Sequence, residues 1–314
     1  MDPGAALVGL FGTLAVLVVA TWLAAVLDGL GRALAVHQPV GLAALAAAPL
    51  ARLGRLVRRA DVIPANADGG LLWSAPVMAV AVVLLLAGVV PLGPGLVIAD
   101  LNIGLFYVIV LLAPFVVALM NAGWGANAKY GVLGAFRAAG HLLAYEVPFG
   151  FAAIGAPMAA ESLSLVKIVE GQDRLWYGVW QPVGFAIYLV SAAIITYRPP
   201  FDLPAADDLG GGVLADVSGP RYLLLRGSML ALWVLVSALG AVLFLGGWLG
   251  PLLPGPVWLV LKTAALMLAM SWVGYRLPRL RVDQMLGLSW KVLLPGTFLH
   301  IAITGVVILL QTGG

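Results

Sequence analysis

The dominant pattern along the chain is a series of long apolar runs separated by short polar segments. Leu7 to Leu27 is a run of 21 residues without a charge, long enough to cross a hydrocarbon core of about 30 Å. Further runs follow at 71–90, 101–123, 132–160, 176–196, 222–247, 255–275 and 290–311. The pattern predicts an all-α polytopic membrane protein of about eight transmembrane helices, with residues 1–314 forming a single integral membrane domain.

The start of the chain differs from a cleavable signal peptide, which carries basic residues before its apolar segment. Asp2 is the only charge before the first run, and Arg32 is the first basic residue. We therefore expect the first run to be a transmembrane helix that starts outside the cell.

The connections between the predicted helices differ sharply in charge. The odd-numbered connections contain 14 of the 17 Lys and Arg residues, and basic residues accumulate in cytoplasmic loops. This predicts that odd connections are cytoplasmic and that both termini face outward from a bacterial inner membrane. The basic residues concerned are Arg32, Arg52, Arg55, Arg58, Arg59, Lys129, Arg137, Arg198, Arg221, Arg226, Arg276, Arg279, Arg281 and Lys291.

Two connections are more than simple links. Segment 41–60 repeats leucines and ends in arginines, which is typical of a helix lying on the cytoplasmic leaflet; a short Ala-rich tether is the alternative. The fifth connection (loop five, about 197–221) is long and of mixed charge. Loops of this length are usually functional or disordered, and Pro199-Pro200 argues against disorder.

Composition supports the membrane assignment and limits the chemistry. Hydrophobic residues make up 62% and charged residues 10%, whereas soluble domains average about 25% charged residues. The net charge of +3 fits basic cytoplasmic loops, so we expect no nucleic-acid partner. The chain has no cysteine and therefore no thiolate ligand for an iron–sulfur cluster. We expect no cofactor bound by this chain.

The clearest functional candidate is the polar segment Lys129–Pro148. At 100° per residue, Arg137, His141 and Tyr145 share one helix face. Glu146 lies about 180° from Arg137, on a face of small residues that another helix can approach. These two charges therefore cannot pair within one helix.

Glu146 is a carboxyl group at membrane depth, where charge is costly and usually functional. Pro148 has no backbone N–H, which leaves the carbonyl of Ala144 without its helical partner. A carboxyl beside such a loosened backbone can relay protons or ions; a structural carboxyl bonded to a neighbouring helix is the alternative.

The other isolated polar residues allow simpler interpretations. Lys262 can be a lysine reaching the outer surface or a buried counter-charge. His300 is more typical of a packing residue, and His37 of a loop. The sequence contains no P-loop, Rossmann glycine pattern, nucleophile elbow or HExxH motif.

Several segments together resemble the H-subunit family of NADH-quinone oxidoreductase, the subunit-1 membrane protein of respiratory complex I. The matching stretches run in order over most of the chain. They are Ile63–Asp68, Pro91–Leu105, Gly123-Trp124 with Lys129–Glu146, Arg198–Pro204, Phe244–Trp248, and Leu277–Arg279 with Asp283-Gln284 and Trp290-Lys291.

The resemblance implies a subunit at the junction of the membrane arm and the redox arm, where it helps to enclose the quinone chamber and connects it to proton pathways. It implies complex I membrane-arm subunits, iron–sulfur redox-arm subunits, membrane lipid and quinone as partners. Quinone would be a substrate of the whole complex. The chain alone would not be an enzyme.

The resemblance also assigns roles to residues at matching positions. It implies Glu146, Asp202, Asp207, Asp208 and Asp216 as the carboxylates of the catalytic and proton route, with the last three standing where the family prefers glutamates. The residues implied at the quinone chamber or subunit interface are Lys129, Arg137, Arg198, Arg279 and Asp283.

Some family features are altered here. After the first helix, Asp28-Gly29-Leu30 replaces a Glu-Arg-Lys stretch, and Val36–Pro39 replaces an Arg-Pro-Gly-Pro-like stretch. Arg52, Ala205 and Met229 stand where the family has acids. These changes fall mainly on the expected quinone entrance and on the route from the chamber into the membrane.

Two other functions remain open at the level of sequence. The chain could be the equivalent subunit of a membrane-bound hydrogenase or formate hydrogenlyase-like complex, in which no quinone need bind. It could also be a free-standing ion carrier or a non-catalytic membrane anchor, although docking-type cytoplasmic segments are not expected in a simple carrier.

Overall fold

The computed structural model describes residues 3–39, 41–206 and 210–312, and the regular secondary structure in these ranges is helical. A π-helical segment, Ser289–Leu293, joins the last two helices, and loop five contains the 3₁₀ turns Leu203–Ala205 and Gly212–Leu214. The helices are α1 (Pro3–Val36), α2 (Leu42–Val57), α3 (Gly69–Val89), α4 (Gly104–Gly125), α5 (Lys129–Ala160), α6 (Leu165–Glu170), α7 (Tyr177–Trp180), α8 (Pro182–Ile195), α9 (Gly219–Phe244), α10 (Gly255–Arg276), α11 (Val282–Leu288) and α12 (Leu294–Thr312).

Seven helices in the described ranges are long and apolar enough to cross a membrane. They are α1, α3, α4, α5, α9, α10 and the continuous helix formed by α11 and α12. This confirms the prediction of an all-α polytopic membrane protein. Several helices extend beyond their apolar runs: α1 continues to Val36 and the last helix begins at Val282.

The predicted span at 176–196 is the exception, because it forms the two short helices α7 and α8. Gln181, between them, has non-helical backbone angles (φ −115°, ψ 48°). Pro182 follows and cannot donate a backbone hydrogen bond. The 14 residues of α8 cover only about 21 Å, so this eighth element is shorter than a bilayer core.

Helix α9 forms the centre of the bundle. Buried residues make up 83% of its most apolar window, against 17% for α1. Its Trp233 is completely buried, and α1, α3, α8 and α10 pack around it.

Helix α5 is longer than the membrane requires. Its 32 residues measure about 48 Å, whereas the hydrocarbon core is about 30 Å thick. Glu146 lies near its midpoint. The side chain of His141 contacts Ile194, at the end of α8, so this turn of α5 is level with the start of loop five.

Helix α2 has an apolar side and a basic side, as the pattern of segment 41–60 predicts. Leu45 is buried and packs against Gly29 of α1. At 100° per residue, the exposed apolar residues and two arginines project to opposite sides of this contact. The apolar set is Leu42, Leu50, Leu53 and Val57, and the basic set is Arg52 and Arg55, with Arg59 following the end of the helix.

Candidate functional site

The most buried charged cluster lies where α1 and α10 meet the start of loop five. Arg198 Nη1 is 3.1 Å from Asp28 Oδ2, and their side chains are 6% and 21% exposed. The Asp28 carboxylate also accepts hydrogen bonds from Ser271 Oγ (2.9 Å) and Tyr275 Oη (3.3 Å). Two transmembrane helices therefore bind the first residues of loop five through one carboxylate.

The other side of the Arg198 guanidinium is covered by an aromatic ring. Its Cζ lies 3.9 Å from the centroid of Trp233 on α9, an arrangement that stabilises a cation at the ring face. Burial lowers the pKa of Arg198, and Asp28 opposes that shift. An arginine side chain is not deprotonated in proteins, so Arg198 is a fixed positive charge.

Loop five is also attached to the seventh connection, residues 277–281 (loop seven). Arg279 binds the Asp202 carboxylate with two nitrogens, at 2.6 Å and 2.8 Å. The backbone N–H of Leu280 donates to the carbonyl of Pro200 (3.0 Å). Any side chain at Gly274 would collide with the backbone of Pro199, so this close approach requires glycine.

A second buried arginine ties the connection between α2 and α3 to the start of α9. Arg221 is completely buried and binds Asp61 through Nε (3.1 Å) and Nη2 (2.6 Å). Ser218 Oγ donates to the carbonyl of Val62 and accepts from its N–H. Both ends of loop five are thus fixed by buried arginines, Arg198 and Arg221.

A cavity of about 560 Å³ lies between α2 and the end of loop five. Arg52, Arg55 and Arg59 line one wall. Gly210, Gly211, Ser218, Gly219 and Tyr222 contribute to the other side. Asp216 is half-buried beside this wall. The arrangement presents positive charge at the position where the resemblance implies an entrance to the quinone chamber.

Glu146 projects from the outer surface of α5 and is exposed. Nothing lies within 4 Å of the position that a Cβ would occupy at Gly150, one turn further along. The predicted face around Glu146 is therefore only partly covered by the described part of this chain: Leu142 packs against the core, whereas Glu146 and the space beside Gly150 are open. This open part can accept a helix from another protein chain.

The carbonyl of Ala144 finds a partner from another part of the chain. Pro148 cannot donate to it, and Ser289 Oγ donates to it instead. Ser289 is buried and begins the π-helical segment. The loosened backbone next to Glu146 is therefore held by the C-terminal helix.

The inward face of α5 agrees with the predicted arrangement. His141 and Tyr145 are buried, Arg137 is half-buried, and Lys129 is exposed at the start of the helix. His141 Nδ1 lies 3.2 Å from the carbonyl oxygen of Ile194. Its ring stacks on Tyr197, with 5.2 Å between the ring centroids. This motif therefore contacts loop five directly.

Asp283 lies apart from this cluster. Asp283 pairs with Arg281 at 2.9 Å on the surface. Asp207 and Asp208 lie outside the described residues. The structure therefore joins Asp202 to loop seven through Arg279 and joins Arg198 to α1 through Asp28.

Lys262 differs from both alternatives that the sequence left open. It is buried, and its ammonium donates to the carbonyls of Leu245, Gly247 and Leu249 at 2.5 to 3.0 Å. The ring of Trp176 lies 4.2 Å away. Lys262 thus caps the end of α9 with backbone oxygens rather than a carboxylate as its partners.

Comparison with known proteins gives a consistent assignment. Residues 9–305 match the family model described as NADH dehydrogenase. The NADH-quinone oxidoreductase H-subunit 2 of Syntrophobacter fumaroxidans is 41% identical over 268 residues, covering 82% of this chain and 81% of that protein. The chain belongs to the NADH dehydrogenase family that this model describes.

Other relatives agree. The H-subunit 2 of Geobacter sulfurreducens is 40% identical over 272 residues, covering 83% of this chain and 82% of that protein. The H-subunit 2 of Rhizobium meliloti is 39% identical over 271 residues, covering 82% of this chain and 83% of that protein. The resemblance inferred from the ordered motifs is confirmed.

The family assignment gives the altered residues a structural setting. Arg52 lines the cavity beside α2, whereas Ala205 and Met229 are buried and apolar. Asp28, which stands in the altered stretch after the first helix, is the partner of Arg198. Sequence reasoning missed this partnership, although a carboxylate at the end of a long apolar run is a signal that a counter-charge lies nearby.

We expect Asp28→Ala to destabilise the protein strongly, because it leaves the Arg198 guanidinium buried without a counter-ion. Breaking such a pair costs about 3–5 kcal/mol. Thermal unfolding of the detergent-purified protein measures the effect. Asp283→Ala is the matched control, since it removes an exposed ion pair and should cost at most about 1 kcal/mol. Equal unfolding temperatures for the two variants would show that the buried pair does not hold loop five.

Proposed function

We propose that this protein is a membrane-arm subunit of a proton-translocating, complex I-type NADH-quinone oxidoreductase. It helps to form the quinone chamber and couples quinone reduction to proton translocation. The curated relatives support this proposal, because they are named as subunits of quinone oxidoreductases. Those names favour it over a hydrogenase subunit, an ion carrier or an anchor.

The observation that carries the proposal is the fixed position of loop five. Its family-type segment, Arg198–Pro204, is held by the buried pair with Asp28 and by the pair between Asp202 and Arg279. A loop held this firmly against the bundle can form one wall of a chamber whose other walls come from redox-arm subunits. The cavity beside α2 extends along the same end of the bundle.

In this proposal the electron carriers belong to partner subunits. The sequence has no cysteine to hold an iron–sulfur cluster. Quinone is a substrate of the whole complex, reached from the membrane. The contribution of this chain is to shape the chamber, place fixed positive charge beside it, and connect it to a carboxyl group at membrane depth.

The proposed location is a bacterial inner membrane, with both termini outside. The asymmetry of Lys and Arg supports this orientation, and it places loop five, loop seven and α2 on the cytoplasmic side. The ion pairs of Arg198, Arg221 and Arg279 then lie at the end of the bundle that faces the redox arm.

We expect Leu252→Cys to be labelled by a membrane-impermeant maleimide in intact cells, and Ala65→Cys only after the membrane is dissolved. The chain has no other cysteine. Both positions are exposed, Leu252 between α9 and α10 and Ala65 between α2 and α3. Labelling of Ala65→Cys in intact cells would reject the orientation.

We expect reversal of either charge in the Asp202–Arg279 pair to weaken the attachment of the redox arm. Asp202→Arg and Arg279→Asp each place like charges together where loop five meets loop seven. The double variant restores an ion pair and should recover part of the binding. Retention of iron–sulfur subunits on washed membranes measures this. Full retention in both single variants would contradict a role for these loops in docking.

The proton route is proposed to pass through Glu146. It lies near the midpoint of α5, on a face left open for another subunit. Moving one charge across 100 mV corresponds to about 2.3 kcal/mol, so a pump needs groups that bind and release protons within the bilayer. A carboxyl group at a subunit boundary can do so when the neighbouring charges change.

We expect Glu146→Gln to assemble normally and to reduce proton pumping about 100-fold or more, which is the low end of general acid–base contributions. Glu146→Asp should retain part of the activity, because it keeps the ionisable group. Glu161→Gln is the control: this residue ends the same helix and is exposed. Wild-type pumping by Glu146→Gln in proteoliposomes would leave only a structural role for this carboxyl.

A further inference from the structure

The cavity beside α2 is surrounded by more positive than negative charge. Arg52, Arg55 and Arg59 line it, and its described lining residues include no carboxylate. Arg55 and Arg59 form no ion pair within the described part of the chain. Asp216, between two lining residues of loop five, adds one negative charge beside these three positive ones. The described groups around the cavity therefore attract an anion.

The start of α9 adds to this positive potential. Ser218 and Gly219 line the cavity, and Gly219 is the first residue of this 26-residue helix. The Ser218 hydroxyl is bonded to Val62 and does not cap the helix. The first N–H groups of a helix have no partner within it and form the positive end of its dipole. Asp61, beside Gly219, is paired with Arg221 and so adds no net charge.

The cavity also has an apolar part. Leu56, Leu214 and Val217 line it together with the arginines, and Tyr222 contributes a ring with a polar end. The volume of about 560 Å³ falls within the range of about 300–1,000 Å³ that is typical of small-molecule sites. A ligand that matches both parts has an anionic group attached to an apolar body.

The position of α2 selects one class among such ligands. Leu50 and Leu53 are exposed on its apolar side, and an interfacial helix buries this side about 5–10 Å into the boundary between headgroups and acyl chains. Its basic side then lies at the depth of the lipid phosphates. A guanidinium matches a phosphate through two parallel hydrogen bonds, and basic pockets on the cytoplasmic side are typical sites for anionic lipid headgroups.

We propose that the cavity beside α2 binds an anionic phospholipid. Its phosphate lies against Arg55 and Arg59, and its glycerol and first acyl carbons lie against Leu56 and Val217. Arg52 adds a third guanidinium at a position where the family has an acid, so the site is a feature of this chain rather than of the family pattern. Binding does not depend on electron transfer, and it can be measured without the redox arm.

The test titrates the full-length, detergent-purified protein with three probes and counts bound molecules by native mass spectrometry. The probes are dioctanoyl phosphatidylglycerol, dioctanoyl phosphatidylcholine and inorganic phosphate. We expect phosphatidylglycerol to bind most tightly, at one saturable site, because it carries both the net negative charge and the apolar body. Phosphatidylcholine lacks the net charge and inorganic phosphate lacks the acyl chains, so both should bind more weakly.

Variants then locate the site. The double variant Arg55→Gln/Arg59→Gln should weaken phosphatidylglycerol binding about 30-fold, because it removes two positive charges near the phosphate. Arg52→Glu should also weaken it, since it places an acid in the cavity wall. The matched control is Arg58→Gln/Lys291→Gln, which removes two exposed positive charges outside the cavity lining. This control has the same net charge as the first variant and should bind the lipid like wild type.

Several outcomes would overturn the proposal. Equal lipid affinity in the cavity variant and its control would show that the arginines do not form the site. Inorganic phosphate that binds as tightly as phosphatidylglycerol would indicate a site for a free anion. Loss of iron–sulfur subunits from washed membranes, with unchanged lipid binding, would assign the arginines to docking of the redox arm. If the double variant does not fold, Arg59→Gln against Arg58→Gln makes the same comparison, and equal affinities reject the site.

Discussion

The buried guanidinium of Arg198 is the interaction on which this end of the bundle depends. A buried charge is costly unless it is paired and hydrogen-bonded, and here a carboxylate from α1 and a tryptophan ring from α9 provide the compensation. Because α10 hydroxyls orient the same carboxylate, three transmembrane helices meet at one residue of a connecting loop. Loop five, which forms the wall of the proposed chamber, is therefore held as firmly as the transmembrane helices themselves.

Two kinds of charged residue bear on how the domain is built. Arg198, Arg221 and Lys262 are buried, and each has its partners within the protein. Glu146 projects outward from the middle of a transmembrane helix. The first group sets the shape of the domain. The second makes the domain incomplete by itself, since the surroundings of Glu146 depend on which neighbouring helix covers it.

Much of the fold could be predicted because apolar runs of about 20 residues are typical of helices that cross a membrane. The span at 176–196 was only partly predictable, since the bend at Gln181 and Pro182 divides an apolar run that composition alone treats as continuous. The partners of the arginines could not be found this way, because Asp28 and Asp61 lie far from them in the chain. Asp28 reaches Arg198 because Gly31 lets α1 approach Ser271 of α10 closely, a contact that no local pattern encodes.

The bond between Ser289 and the carbonyl of Ala144 has a consequence for how this family can change. The Ser289 hydroxyl donates the hydrogen bond to Ala144 that the backbone N–H of residue 148 would donate if it were not proline. Replacement of Pro148 would return that hydrogen to α5 and remove the need for a hydroxyl at position 289. Replacement of Ser289 alone would leave the carbonyl of Ala144 without a hydrogen-bond donor inside the membrane. The two positions, far apart in sequence, therefore depend on each other, and we expect Ser289 to be replaceable only where Pro148 is replaced first.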